Sequence, residues 1–304
     1  MPSIGQATSI NCSSLGRKMR IAALQYCAGA TADVTFPVIE TLIAQAVAKQ
    51  ADMVCLPEAA SFLPTNREAL FQLAEHTHDS ASLKRLQAQA ATHKIWLLVG
   101  SMLMRTADGK SPMNQSHLVN QSHLVNRGHL IDPSGAITAI YDKIHMFDAN
   151  VADGQVYEES AYFQAGDQPV LAQVDDLNIG MTICYDLRFP HLYRQLARDG
   201  ADVLMVPAAF TQNSGKAHWH ILLRARAIET GCYVVAPGQM GTHADGRVTY
   251  GHSLIVAPWG EIVAEAQDGE DVIIADIDQS QIESARKAIP AITTHPILKP
   301  TTLS

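Results

Sequence analysis

The chain has little cysteine, and none of it in a pattern that binds or bridges. Its five cysteines, at positions 12, 27, 55, 184 and 232 of 304 residues, are odd in number, far apart and never spaced as CxxC. That speaks against a disulfide framework and a cysteine-ligated zinc site, and fits a reducing cytoplasm best. No apolar run reaches the roughly 18 residues of a membrane span. Basic residues are outnumbered, 22 Lys and Arg to 30 Asp and Glu, and are scattered. A net charge of −8 argues against nucleic acid or an anionic membrane as the main partner. The opening MPSIGQATSINCSSLGRK lacks the hydrophobic core of a secretory signal. Residues 1–18 therefore read as a loose, disordered extension, with a single folded domain over 19–304. Core material is ample: 47% of residues are hydrophobic and 17% charged.

From Met19 the pattern alternates. MRIAALQY reads as a buried strand, VIETLIAQAVAKQ as a helix and ADMVCLPE as a second strand. Residues 67–94 read as helical and IWLLVGSML as a strand. HLIDPSGAITAIYDKIH reads as a hairpin turning at DPSG, and LNIGMTICY as a strand. PHLYRQLARDG is a helix with a glycine stop, ADVLMVPAA a strand, HWHILLRARAIETG a helix and CYVVAPGQ a strand. A second hairpin, TYGHSLIVAPWGEIVAEA, precedes a last strand, DVIIADID. Strands alternating with helices predict an α/β fold. NQSHLV occurs at 114–119 and again at 120–125, followed by a degraded copy, NRGHLI, at 126–131. An even period keeps each side chain on its face when the register slips by one copy, so one copy should pair and the surplus loop out. Copying also explains the even spacing of His117, His123 and His129 without any ligand chemistry.

Three strand ends finish in a reactive residue: MVCLPE in Glu58, AIYDKIH in Lys143 and MTICYD in Cys184. Ligands bind at the carboxyl ends of strands in open α/β sheets, so these three, distant in sequence, are candidates to meet. A sulfur nucleophile, a carboxylate that takes its proton and returns one to a leaving amine, and an ammonium that holds the oxyanion with the Tyr185 N–H would make a covalent hydrolase.

LPEAA, YDKIHMFD and ICYDLRFP, in this order, resemble the three catalytic motifs of the nitrilase superfamily of carbon–nitrogen hydrolases, over about Met19 to Asp278. The resemblance implies Glu58 as general base, Lys143 as oxyanion stabiliser and Cys184 as nucleophile. It adds a second glutamate within YEESAYFQAG: Glu159, with Glu158 as the rival by one position. It further implies a four-layer α-β-β-α sandwich, no metal or organic cofactor, and assembly into homodimers or larger homo-oligomers. HW, LLRARAIE and YGHS are similar to the small amidases of deaminated glutathione and, more distantly, to omega-amidases. A primary amide on a carboxylate-bearing acid is then the expected substrate, with Arg188 as carboxylate partner. Arg188 could equally be tied to Asp186 or Glu229, and His218 and Trp219 could line a pocket or simply pack a helix start. Nitrilase and N-carbamoyl amide hydrolase are the runner-up activities. A metallohydrolase is disfavoured, because neither His76/His78 nor His218/His220 has the i, i+4 spacing of a helical zinc site.

Overall fold

The computed structural model describes residues 18–106, 124–151 and 156–294. Residues 1–17, the N-terminal part of the expected extension, lie outside these, as do His117, His123 and most of the two exact repeat copies.

Two sheets form the centre. In the first, the strand order is Asp271–Ile277, Met19–Gln25, Met53–Cys55, Trp96–Arg105, Leu124–Ile131, Ile137–Asp142, with Glu75–His76 also paired to Trp96–Arg105. In the second it is Ile262–Glu265, Leu254–Val256, Tyr233–Ala236, Val203–Met205, Leu177–Met181, Val170–Val174. The inner strands of each sheet run parallel and the outer ones antiparallel. Strands buried on both faces should be apolar in an unbroken run rather than alternating, and Ile21 to Leu24 of strand Met19–Gln25 are such a run. Its Ala22 and Leu24 pack with Phe36, Ile39 and Ile43 of helix Ala32–Ala48 and Leu86 of helix Ala81–His93. Its Ile21 and Ala23 belong to the other core, with Ile179, Met181 and Val203 of the second sheet. On the second sheet's side that core takes in Leu192 and Leu196 of helix Pro190–Arg198 and Trp219 and Leu223 of helix Gln212–Thr230. Helix, sheet, sheet, helix is the expected four-layer sandwich.

The two sheets approach tightly at Gly100. A Cβ there would lie 2.1 Å from the Leu56 carbonyl oxygen, 2.4 Å from Pro207 Cβ and 2.6 Å from the Pro57 carbonyl oxygen, so only glycine fits. This approach brings the chain after Met53–Cys55 against the chain after Val203–Met205.

One expectation is corrected. Residues 67–94 are two helices, Arg67–Leu73 and Ala81–His93, parted by the short strand at Glu75. Ser80 starts the second helix as its N-cap, accepting from the Leu83 N–H at 2.9 Å. The degraded repeat copy forms most of strand Leu124–Ile131, which pairs on both sides. Among the described residues, no helix is long and apolar enough to cross a membrane.

Candidate active site

Cys184 lies beyond the strand end, as the first residue of a 3-10 turn, Cys184–Arg188, that leads into helix Pro190–Arg198. Its φ is +47°, in the left-handed region that a residue with a Cβ avoids, and its N–H is fixed to the Pro207 carbonyl at 2.9 Å. Ala59, directly after Glu58, has φ +52°. Two strained residues at or beside reactive side chains mark a place where packing overrides local preference.

Glu58, Lys143 and Cys184 do meet. Lys143 Nζ donates to Glu58 Oε1 at 3.0 Å and to Glu159 Oε2 at 2.8 Å. The second Glu58 oxygen accepts the Ala209 N–H at 2.8 Å, and the Cys184 thiol lies close enough to the Glu58 carboxylate for each to shift the other's ionisation. Of the two rival glutamates, Glu159 is the one bonded to the lysine; it also accepts the Phe147 N–H at 2.7 Å. Glu158 is exposed at the cavity wall.

Burial pushes the Glu58 carboxyl up, but the Lys143 charge and the hydrogen bonds from Cys184, Lys143 and Ala209 outweigh it and hold the group below its ordinary value. For Lys143, burial favours the neutral amine, yet Glu159 and Glu58 hold the ammonium well above its ordinary range. Burial and then the Glu58 charge push the Cys184 thiol well up, against the opposing pull of Lys143. The resting triad is therefore carboxylate, ammonium and neutral thiol.

Three supporting residues escaped the sequence reading. Asn126 donates to Glu58 at 2.9 Å and to Glu159 at 3.1 Å, bridging the two carboxylates. It opens the degraded repeat copy, and nothing local distinguishes it from Asn114 and Asn120. Gln239 holds the Glu58 carbonyl at 3.0 Å from the end of another strand. Arg226, buried and paired with Glu229 at 2.9 Å, donates twice to the Leu187 carbonyl and so props the cysteine turn. LLRARAIE was the signal for Arg226, read only as a mark of the branch.

The cavity above the triad is about 270 Å³, lined among others by Tyr185, Arg188, Phe147, Tyr157 and Arg67. Neither expected acid holds Arg188: Asp186 is fully buried and accepts from Tyr141 and His145, and Glu229 holds Arg226. Among the described residues Arg188 makes no ion pair; it lies over the rings of Tyr185 and Phe210, with Nη1 3.3 Å from Nδ1 of the exposed His218. Trp219 is absent from the wall; it is buried against Phe210 and donates to the His252 carbonyl at 2.8 Å.

The model of the carbon–nitrogen hydrolase family matches residues 20–287. A deaminated glutathione amidase of Synechocystis sp. is 41% identical over 256 residues, covering 83% of this chain and 89% of the relative. That of Yersinia enterocolitica is 35% identical over 278 residues, 91% of this chain and 92% of the relative. In three dimensions the chain is similar to the crystal structure of the C. elegans NitFhit protein, with a TM-score of 0.80, 34% identity, and coverage of 92% of this chain and 65% of that one. With the match running over nearly the whole folded chain, this protein belongs to the carbon–nitrogen hydrolase family.

Proposed function

We propose that the chain is a cysteine-dependent amidase that hydrolyses a small carboxylate-bearing amide, with deaminated glutathione or a similar ω-amide as the first candidate. Cys184 Sγ attacks the amide carbon while its proton passes to Glu58. Lys143, with the Tyr185 N–H, stabilises the oxyanion, and Glu159 keeps the ammonium in place. The C–N bond then breaks, the proton on Glu58 goes to the departing nitrogen, and ammonia leaves a thioester on Cys184. Water, deprotonated by Glu58, attacks the thioester; the proton returns to sulfur and the acid departs.

The single observation that carries the substrate class is Arg188: a guanidinium in the wall of the cavity, with no carboxylate of the described chain beside it. A guanidinium pairs with a carboxylate bidentately. The names of the Synechocystis and Yersinia relatives support deaminated glutathione in particular. A cytoplasmic homo-oligomer belongs to the same reading; the exposed Ile221, Ile228 and Trp259 offer apolar surface for a second copy.

The test compares kcat/KM for one ω-amide carrying a remote carboxylate and for its neutral isostere, in the parent, in Arg188→Ala and in Cys184→Ala. Cys184→Ala should abolish turnover of both. Arg188→Ala should lower kcat/KM for the charged amide by roughly ten- to a hundredfold, the worth of a hydrogen bond to a charged group, and leave the neutral one little changed. Equal preference in the parent would reject the carboxylate reading. Faster hydrolysis of a nitrile than of any amide would reject the amidase reading.

A further inference from the structure

His220, His252 and Glu265 lie outside the catalytic cavity, and the proposed reaction makes no use of them. His220 Nε2 is 2.8 Å, and His252 Nδ1 3.0 Å, from the same oxygen, Glu265 Oε1. One ligand atom from each residue lies within 4.8 Å of the other two. Three separate elements supply them. His220 is on helix Gln212–Thr230, Glu265 ends strand Ile262–Glu265, and His252 precedes strand Leu254–Val256, which pairs with it. His252 is held at φ +51°, its carbonyl taken by Trp219 and its ring stacked on Tyr250 at 4.3 Å between centroids. The side chains remain 27–29% exposed, so a solute can reach them.

We propose that His220, His252 and Glu265 bind one zinc-type divalent cation, which clips helix Gln212–Thr230 to the hairpin beside it. Two imidazoles and a carboxylate are a donor set for zinc, cobalt, nickel or copper; magnesium and calcium require oxygen. Ligand atoms around a tetrahedral zinc are about 3.3 Å apart, as follows from bonds of roughly 2.0–2.1 Å. The present N···O separations need open by only a few tenths of an ångström. On binding, each imidazole must offer the metal the lone pair of the ring nitrogen that faces Glu265, with its N–H on the outer ring nitrogen. The carboxylate supplies one negative charge, and water completes the shell. The spacing that ruled out a site within one helix does not apply, because the ligands come from three elements. The role is structural: Ser214, on the same helix, and Phe210, against which Trp219 packs, line the catalytic cavity.

The test uses the full chain carrying Cys184→Ala, so that the active-site thiol cannot take the metal, and cobalt chloride as probe. The expected result is one cobalt per chain, with the intense visible band of four-coordinate cobalt and no thiolate charge-transfer band. Zinc at a hundredfold excess over its Kd should compete the band away and raise Tm by about 5 °C. His220→Ala and Glu265→Gln should each abolish band and Tm shift while leaving the apo protein folded. His76→Ala, in the other sheet, should change neither. A missing band, or one that survives His220→Ala, would overturn the site and leave the three residues a plain hydrogen-bonded cluster.

Discussion

At the scale of single residues, the chemistry depends on which group holds the proton. Glu58 is a carboxylate pulled below its ordinary 4.5, whereas Cys184 and Lys143 are pushed above their ordinary 9.0 and 10.5. Because kcat/KM reports ionisations of the free enzyme, its pH profile should be flat from about pH 5 to 9, falling below as Glu58 takes a proton and above as Cys184 or Lys143 loses one. A limb centred at pH 6–7 would place the transferable proton on a histidine and reject the triad. Lys143→Ala should lower kcat by roughly 10²–10³, the scale of one lost oxyanion donor. It should also raise the acid limb, because Glu58 would then face burial and Glu159 without its cation. Lys143→Arg should not rescue, since the forked guanidinium cannot occupy the same point. An unchanged kcat in Lys143→Ala would dismiss the lysine. All three residues were legible in the sequence because each follows an apolar run by a fixed, local step. Asn126 was not, because its part depends on two carboxylates, 68 and 33 residues away, meeting across it.

At the scale of elements, Asp186 ties the lysine strand to the cysteine turn. Its Oδ1 accepts the backbone N–H of His145 at 3.0 Å and its ring Nδ1 at 2.7 Å. Its Oδ2 accepts the Tyr141 hydroxyl at 2.7 Å and the Ile183 N–H at 2.9 Å. Tyr141 and His145 flank Lys143, and Ile183 precedes Cys184, so one buried carboxylate spans both. An amide offers a single acceptor oxygen, so Asp186→Asn must abandon one side. Shifts of about 1 Å at reacting atoms cost on the order of a hundredfold, so kcat should fall ten- to a hundredfold. KM should change little, because Asp186 does not reach the cavity. Loss of Tm with kcat per folded molecule unchanged would reduce Asp186 to a structural role. The elements themselves were largely legible, since parallel strands buried on both faces are plain apolar runs. The break at residues 74–80 was not: the short strand there exists only because Glu75 and His76 find Met104 and Arg105 to pair with, a partner that periodicity cannot see.

At the scale of the whole molecule, burying a histidine within a paired strand of the first sheet leaves a weakness toward acid. His129, 1% exposed in strand Leu124–Ile131, has no partner for its Nδ1 among the described residues. Burial, helped by the charge of Arg127, pushes it down to about 4 from 6.5. Between those two values the unfolded chain binds a proton that the folded one refuses, so stability is full above pH 6.5 and falls as pH drops toward 4. That difference corresponds to about 3 kcal/mol, lost over a window whose lower end overlaps the titration of ordinary carboxylates. His243, pushed down by its own burial, acts in the same direction. His129→Leu removes the titrating ring and the orphan nitrogen from a site with apolar neighbours. Its unfolding free energy should therefore fall less steeply between pH 6.5 and 4.5 than that of the parent, with the two curves converging in shape above pH 7. Denaturant unfolding at half-unit pH steps measures this directly. Parallel curves through the acid window would mean that His129 carries its proton in the folded state and that the sandwich opens under acid elsewhere.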